Sequence, residues 1–392
     1  MSLRVSAVRS RDDRRAFLDL PHELYRRDPH WVAPLRTEIK ARLDPTRGPF
    51  FRHGEAGLFL ARRGDRVVGR ISAHVDRRYN DFHSSPDHRD RTGFWGFFEC
   101  EDDADAAVEL FDAAEAWLSA RGRDRMLGPA SFTLNDEAGL LVDGFDAPPM
   151  ILMSYNPPWY ERLVDKAGFE KAQDLYAYRL DAHAPAPPDV VALGREAANA
   201  YTFRTLDKRR FDDEMRRFLA VYNEAWERNW GFVPMTDEEI REHAKRLRPI
   251  IDPRLVFIAE QGNEPVAVGL TIPDVNEELI RMRGRLGPVS LARLALRARR
   301  RDWRTCRVVA LGVKREHRTS GIGAHLYAST LDAARRAGYR WGEMSWILES
   351  NDAMNRAIAH MGGRRYKTYR MLERPVVSAA GSCPEGRESN GP

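Results

Sequence analysis

Residues 311–324 constrain the fold of this 392-residue chain more than any other feature. The apolar run that ends near Val313 predicts a buried strand, and an arginine- and glycine-bearing turn then leads into a helix that opens at residue 324. Gly321 and Gly323 have no Cβ, so the main chain can approach a ligand closely there. Unpaired N–H groups at a helix N-terminus favour an anion, and Arg318 adds positive charge to the same turn. The segment therefore predicts a phosphate-binding turn.

Two widespread phosphate loops do not fit this turn. The nucleotide triphosphatase loop needs a Lys-Ser/Thr pair after its last glycine, and none follows here. The dinucleotide fingerprint needs a third glycine where this chain has Leu326, and an acidic residue roughly 20 positions on, whereas Asp332 comes too early. The spacing R-x-x-G-x-G-A at residues 318–324, after an apolar strand, resembles the pyrophosphate loop of the GCN5-related N-acetyltransferases (GNAT).

The sequence after the turn follows the order of elements in that family. Residues 324–338 have apolar or small side chains near helical period and end in glycine, which predicts a helix. Residues 341–348 predict the next strand, and Asn351 follows it. In the family this strand ends near an Asn, and a glycine follows after a short helix, as Gly362 does here. Three features in the same order strengthen the resemblance.

A proline-rich segment at 181–189 separates two halves that repeat one order of elements. Each half has a predicted strand–turn–strand hairpin, a helix ending in glycine, a strand, a short helix ending in glycine and a terminal strand. The predicted hairpin strands are residues 56–62 and 67–75 in the first half and 255–260 and 266–272 in the second, and the predicted terminal strands are 175–180 and 366–373.

The repeat and the resemblance together predict a mixed α/β fold of two tandem GNAT-like domains, each a twisted mixed β-sheet flanked by helices. The predicted boundaries are 1–182 for a first domain without a pyrophosphate loop, 183–198 for a linker and 199–375 for an acyl-CoA-binding domain. In the first half, residues 99–105 carry carboxylates where the loop should be, and these would repel a pyrophosphate. Residues 376–392 predict a disordered tail.

Bulk composition limits the other possibilities. The charge is only +5 against 63 basic and 58 acidic residues, which does not favour a nucleic-acid partner. The three cysteines are far apart, no apolar signal segment follows Met1, and no apolar run approaches the length of a membrane span. We expect a cytoplasmic protein without a membrane partner, as a monomer or homodimer. The arginine cluster at 297–304 is either a solvated helix end or a patch for a nucleic acid or an acidic partner.

The resemblance implies an acyl-CoA co-substrate, most commonly acetyl-CoA, and no metal. A backbone N–H near Leu311 to Val313 would stabilise the oxyanion, and Asn351 would lie near the pantetheine arm, although it could equally cap the following helix. His83 and His88 lack the further ligands that a metal site needs. The predicted cofactor-binding residues are Leu311, Val313, Arg318, Thr319, Ser320, Gly321, Ile322, Gly323, Ala324 and Asn351.

The candidate catalytic residues are Glu349, Ser345 and Tyr366. Glu349 ends the predicted strand and shares a face with Ser345 and Glu343 at period two, which makes it a candidate base. The family's usual acid is a Tyr at a position that Ile358 occupies here, so the thiolate would leave unassisted or use another group. Tyr366 is available nearby but also fits a simple strand aromatic.

These residues predict an N-acyltransferase that moves an acyl group, most commonly acetyl, from acyl-CoA to the amine of a small molecule or an amino-acid-like acceptor. One variant would use longer acyl donors or an acyl carrier protein, which the arginine cluster could meet. The missing Tyr favours the alternative of a non-catalytic acyl-CoA-binding sensor. Residues 135–146 are polar and turn-rich, and either line an acceptor pocket between the halves or form an ordered connection.

Overall fold

The computed structural model describes residues 2–285 and 287–377. Its strands are β1 (Leu3–Ala7), β2 (Gly54–Arg63), β3 (Arg66–Asp76), β4 (Thr92–Cys100), β5 (Arg125–Gly128), β6 (Leu140–Asp143), β7 (Glu170–Asp181), β8 (Thr202–Thr205), β9 (Val256–Gln261), β10 (Glu264–Pro273), β11 (Thr305–Val313), β12 (Trp341–Leu348) and β13 (Arg364–Pro375). Its helices are α1 (Arg11–Leu24), α2 (Arg36–Arg42), α3 (Arg77–His83), α4 (Ala104–Ser119), α5 (Tyr160–Lys166), α6 (Pro188–Ala197), α7 (Phe211–Trp226), α8 (Asp237–Leu247), α9 (Asn276–Met282), α10 (Pro288–Arg300), α11 (Ile322–Arg336) and α12 (Asp352–His360).

The described strands join in one mixed sheet. Their order is β1-β2-β3-β4-β5-β13-β7-β12-β11-β10-β9-β8, and the short β6 pairs with β13 off this path. Most neighbours are antiparallel, but each half contains one parallel pair, β4 with β5 and β11 with β12. A strand joined to a parallel neighbour needs a crossover connection, which α4 and α11 provide. The predicted mixed α/β fold with two tandem halves is confirmed.

The two halves exchange their terminal strands. β7 ends the first half but pairs with β12 of the second, and β13 ends the second half but pairs with β5 of the first. β7 and β13 also pair with each other at the centre of the sheet. Each half is therefore completed by a strand from the other, and the predicted domain boundaries remain an interpretation of the sequence repeat.

The segment predicted as a linker contains a helix. α6 packs on the helix after the glycine turn so closely that a Cβ added to Gly194 would lie 2.9 Å from the Cα of His325. That turn leads into α11 at Ile322, two residues earlier than the periodicity predicts. Most of the predicted disordered tail, residues 378–392, lies outside the described residues.

Each half has its own apolar core on the sheet. The first is built around α4, whose buried Leu110, Phe111, Ala114 and Leu118 follow helical spacing. The second is built around α7 and strands β9 to β11. Between β10 and β11 the second half carries α9 and α10, and α10 has no buried residue. Among the described residues, no helix combines the length and apolar character needed to span a bilayer.

Candidate active site

A pocket of about 600 Å³ opens between β11 and β12. The parallel pairing of these strands covers Thr305–Val308 and Trp341–Met344, and beyond it the strands diverge. Both strands also shift register against their other neighbours at this point, β11 against β10 and β12 against β7. Register shifts of this kind bend a strand and increase its twist, which explains why the gap opens here.

The N-terminus of α11 lies at one end of the pocket. Gly321 caps the helix with a φ of 81°, in the left-handed region, and no side chain bonds the first helical N–H groups. A Cβ on Gly321 would also lie 2.7 Å from the carbonyl oxygen of Leu193. At Gly323 an added Cβ would meet only Tyr327, at 3.9 Å from its hydroxyl oxygen. The turn therefore places no side chain over the start of α11, which is the geometry that an anion-binding helix N-terminus needs.

The predicted cofactor-binding residues divide into two groups. Leu311, Val313, Arg318, Gly323 and Asn351 line the pocket. The others, Thr319, Ser320, Gly321, Ile322 and Ala324, form the turn and the start of α11 behind that lining.

Two side chains of this site are also used within the protein. Arg318 donates to the carbonyl oxygen of Ala225 at 2.7 Å, which holds its guanidinium at the pocket mouth. Asn351 caps α12 by accepting from the N–H of Met354 at 3.1 Å, so the capping role weighed from the sequence is observed.

The far end of the pocket is apolar and extends past the point where the strands diverge. Cys306 and Gly342, which are paired across β11 and β12, form its floor. A Cβ on Gly342 would meet only Cys306, at 3.4 Å from its Sγ. The walls come from β7, α11 and α12 and include Leu180, Leu331, Ala334, Ile358 and Met361. Through β7, the first half of the chain thus supplies part of the wall.

The opposite rim is formed by the end of α7 and the loop that follows. Trp226, Arg228, Asn229 and Trp230 line the pocket there. A Cβ on Gly312 would lie 2.1 Å from the ring of Trp226, so the indole packs directly on β11. This rim was not predicted from the sequence, where its signal is the density of tryptophan and polar residues after an amphipathic helix.

A buried polar cluster lies at the side of the pocket around Glu343, which is fully buried. Its carboxylate accepts from the Ser345 hydroxyl at 2.5 Å and from the Tyr366 hydroxyl. The Arg307 guanidinium lies 3.7 Å from the same carboxylate and donates to Ser345 Oγ at 2.8 Å. Of these four residues only Ser345 lines the pocket. It therefore connects the cavity to a buried carboxylate.

Glu349 does not join this cluster. Its carboxylate accepts from the backbone N–H of Asp174 at 3.0 Å and from the Lys171 ammonium at 2.6 Å, on the side of β12 that faces β7. The register shift of β12 against β7 falls between Met344 and Ile347 and breaks the period-two alternation on which the prediction of a shared face rested. Among the predicted catalytic residues, Ser345 and Tyr366 bond the same Glu343 carboxylate, whereas Glu349 is not part of the pocket lining.

The first half also contacts this cluster. Arg307 donates to the carbonyl oxygens of Ile151 at 2.9 Å and Leu152 at 3.2 Å. The N–H of Ile151 bonds the buried carboxyl of Asp274 at 2.9 Å, and burial raises the pKa of Asp274 to about 7. Burial lowers the pKa of Lys367 to about 8, and this side chain donates to two carbonyl oxygens of the loop 144–147.

The segment 135–146 contacts the second half without lining the pocket. β6 pairs with β13, and the Asn135 amide donates to the carbonyl oxygen of Val233 at 3.2 Å. The pocket residues from the first half are instead Leu180 and Ala182. The segment therefore holds the two halves together at the loop that follows the Trp226–Trp230 rim.

Comparison with known proteins identifies the family. Residues 215–362 match the acetyltransferase (GNAT) family. The chain is 39% identical to the bacterial ceramide synthase of Caulobacter vibrioides over 379 residues, covering 95% of this chain and 98% of that protein. It is 32% identical to protein YghO of Escherichia coli, covering 94% of each.

Solved structures show the same fold at low sequence identity. A tandem GNAT protein from the clavulanic acid biosynthesis pathway superposes with a TM-score of 0.55 at 13% identity, covering 96% of this chain and 99% of that one. A GCN5-related N-acetyltransferase from Sphaerobacter thermophilus gives 0.53 at 15% identity, with coverage of 95% and 96%. Together with the sequence relatives, these show that the chain belongs to the GNAT superfamily and is an N-acyltransferase with two tandem GNAT-like halves.

Proposed function

We propose that this enzyme transfers a long acyl group from acyl-CoA to the amine of a long-chain amino alcohol. The observation that carries the proposal is the pocket itself, which joins an uncapped helix N-terminus to an extended apolar end. An anionic group at one end of a ligand and an apolar chain at the other match these two environments.

The donor half of the proposal follows from the helix N-terminus. GNAT enzymes use acyl-CoA co-substrates, and the first N–H groups of α11 together with Arg318 would hold the diphosphate of CoA. The pantetheine arm would then run between the diverging β11 and β12, past Leu311, Val313 and Asn351.

The acyl chain would occupy the apolar end. Ile358 stands where many GNAT enzymes have a tyrosine acid, and here it is buried in the pocket wall beside Met361 and Leu331. An apolar residue at this position extends the surface available to a hydrocarbon chain. The conjugate acid of a thiolate has a pKa of about 8.5 in model thiols, so a thiolate is a fair leaving group without a proton donor.

The acceptor half rests on the similarity to the bacterial ceramide synthase. A ceramide is the amide of a fatty acid and a long-chain amino alcohol, and N-acylation of that amine is GNAT chemistry. Trp226 and Trp230 at the rim offer large amphipathic surfaces beside Arg228 and Asn229, which suits a ligand with a polar head and an apolar tail.

The proton of the attacking amine would leave through Ser345. As the amine nitrogen bonds to the thioester carbonyl carbon, its proton passes to Ser345 Oγ, whose own proton passes to Glu343 across the 2.5 Å hydrogen bond. The C–S bond then breaks and CoA leaves as the thiolate. Backbone N–H groups of β11 near Leu311 and Val313 would stabilise the oxyanion.

A matched pair of variants tests the proton path. Ser345 and Tyr366 each donate one hydroxyl hydrogen bond to Glu343, but only Ser345 lines the pocket. We expect Ser345→Ala to lower kcat by roughly 10²–10⁴-fold and to change its pH profile, and Tyr366→Phe to keep kcat within roughly tenfold. Equal losses in both variants would reduce the cluster to a structural role.

The substrate assignment is tested with a series of donors from acetyl-CoA to palmitoyl-CoA and a long-chain amino alcohol as acceptor. We expect kcat/KM to rise with chain length. Gly342→Leu should shorten the longest donor used and leave acetyl transfer unchanged, since the added side chain enters only the floor of the apolar end. Turnover that is highest with acetyl-CoA and insensitive to Gly342→Leu would refute the long-chain donor.

A further inference from the structure

Helix α10 has an outward face that combines apolar and cationic side chains. Val289, Leu291 and Leu296 are 74%, 55% and 46% exposed, which is unusual for such residues on a helix that is already packed in place. Val289 and Leu296 are seven residues apart and share one face, and Arg293 and Arg300 flank them. The face is therefore amphipathic on its exposed side.

The opposite side fixes the helix to the protein. Leu294 and Ala298 pack against the core of the second half. Arg297 pairs with Glu277 at 2.7 Å and lies over the ring of Trp303 at 4.4 Å. These contacts account for the inward residues, whereas Val289, Leu291 and Leu296 belong to no apolar cluster of the described residues.

The segment between β10 and β11, which carries α9 and α10, is strongly basic. Residues 276–305 contain nine arginines and three acidic residues. The acidic residues Glu277 and Glu278 bond Arg297 and Arg293, whereas Arg299 and Arg300 are exposed and make no ion pair within the described part of the chain. The free positive charge thus lies on the same exposed side as the apolar residues.

We propose that α10 docks on the surface of an anionic membrane, with Val289 and Leu296 entering the headgroup region and Arg299 and Arg300 contacting lipid phosphates. Basic helices with an apolar face lie in the membrane interface and are attracted by anionic lipids. An acidic protein such as an acyl carrier protein would explain the arginines but not the exposed apolar residues between them. Surface docking differs from the absence of a membrane partner expected from the sequence, because it needs no spanning segment.

A short series of hydrogen bonds leads from the segment that carries α10 to the pocket wall. Asn276, the first residue of α9, donates to the carbonyl oxygen of Pro149 at 2.9 Å. The adjoining Leu152 is 42% exposed, and its carbonyl oxygen accepts from Arg307, which also bonds Ser345 in the pocket wall. Docking through α10 would hold the pocket close to the lipid phase. The inference rests on the exposed helix and does not depend on which acceptor the pocket takes.

The test uses the full chain and sedimentation with two kinds of vesicles, phosphatidylcholine alone and phosphatidylcholine mixed with phosphatidylglycerol. We expect binding to the mixed vesicles. Arg299→Ser with Arg300→Ser should weaken it by roughly tenfold to thirtyfold, and Val289→Ser with Leu296→Ser by roughly tenfold or more. All four side chains are exposed, so the fold should be kept, and thermal unfolding checks this.

Matched controls lie elsewhere on the molecule. Arg335 and Arg336 are also adjacent exposed arginines at the end of a helix, although both pair with Asp332. Val377 is 75% exposed, close to the value for Val289. Serine at these positions should leave vesicle binding unchanged.

Three outcomes would overturn the proposal: no binding to the mixed vesicles, binding that ignores the apolar pair, or an acyl carrier protein that binds α10 in place of vesicles. Turnover with short soluble substrates and no vesicles should be equal in all variants, which separates this result from the proposed function.

Discussion

Each half of this enzyme contains one parallel pair of strands, but the chain beyond the pair stays hydrogen-bonded in the first half and opens into a pocket in the second. In the first half β4 and β5 pair over three residues, and the chain after β5 then stays bonded to β4 through the N–H of Ala130 and the carbonyl oxygen of Trp95. In the second half the equivalent gap is an open pocket. The shared fold therefore does not by itself create a site.

Aromatic side chains are packed closely on β4 in the first half. The indole of Trp95 is fully buried against Phe98, Phe111 and Phe169. Tyr160 accepts from the N–H of Cys100 at 2.8 Å, which occupies a backbone group of β4. A backbone already bonded in this way cannot pair with a ligand that lies along the strand.

The helix N-termini differ in the same sense. α4 is capped by Asp103, whose carboxylate accepts from the N–H of Ala106 at 3.1 Å and pairs with Arg63. α11 begins at Gly321 with no side-chain cap. The Asp103 carboxylate occupies the position at the start of α4 where an anion would bind, so it stabilises the helix and excludes a phosphate. An acidic cap in the first half and a glycine cap in the second therefore distinguish the two helix N-termini.

The exchange of β7 and β13 predicts the largest effect, on folding itself. Residues 188–377 expressed alone would lack β7, which pairs with β12 along most of its length, and residues 1–187 would lack β13. We expect each fragment to be unfolded or insoluble, and the two fragments expressed together to form an active complex. The joint expression is also the control for the chain break. A soluble second fragment that binds acyl-CoA alone would show that the exchange is dispensable.

Copying the acidic helix end of the first half into the second should abolish donor binding. A Cβ on Gly323, the second position of α11, would make only an ordinary contact with Tyr327, and a glutamate there is favoured by the helix dipole. We expect Gly323→Glu to keep the thermal midpoint and to weaken acyl-CoA binding by roughly hundredfold or more, because it sets a carboxylate against the diphosphate. Calorimetry measures this, with one site per chain in the native enzyme.

The control for that variant is Gly287→Glu, in open space at a helix N-terminus but outside the pocket. Gly321 is less informative, because its positive φ and the nearby Leu193 carbonyl would strain any side chain. If Gly323→Glu bound acyl-CoA normally, the donor would have to lie away from α11.

Local backbone features could be predicted from the sequence, whereas the pairing of strands that are distant along the chain could not. The turn around Gly321 and Gly323 was predictable because backbone freedom and helical period are local properties. The exchange of β7 and β13 was not, since both strands have a similar pattern and the chain alone does not say which half each completes. The grouping of Ser345 with Arg307 and Tyr366 joins three separate strands and was equally out of reach.

The buried carboxyl of Asp274, at the contact between the halves, should make the free energy of unfolding depend on pH by about 2–4 kcal/mol. Asp274 accepts from the N–H of Ile151, and burial raises its pKa from 3.8 to about 7. The native state therefore holds a proton that the unfolded chain releases, so this stability is complete below about pH 4 and is lost as the pH rises through about 7. Asp274→Asn should match the native enzyme near about pH 4 and be more stable near about pH 8, by urea unfolding.

Asp252 serves as a control because its pKa is shifted in the opposite direction from that of Asp274. Burial alone would raise its pKa, but hydrogen bonds from Arg254 hold the pKa of Asp252 below its usual range. Its contribution to stability is present above the unfolded pKa and is lost as the pH falls, so Asp252→Asn should destabilise the protein at neutral pH. A native enzyme whose stability did not fall between about pH 4 and about pH 8 relative to Asp274→Asn would contradict the assignment.

The smallest expected effect is the difference in stability cost between two leucine truncations, one on the central helix of each half. Leu110 on α4 is fully buried, whereas Leu331 on α11 is also largely buried but lines the pocket. Leu110→Ala should cost about 2–5 kcal/mol, because truncation leaves a new cavity in a filled core. Leu331→Ala should cost about 1–2 kcal/mol, because one side of the leucine already faces empty space and only the lost apolar burial counts. Urea unfolding of the two variants measures the difference, and equal losses would mean that the pocket is packed shut in solution.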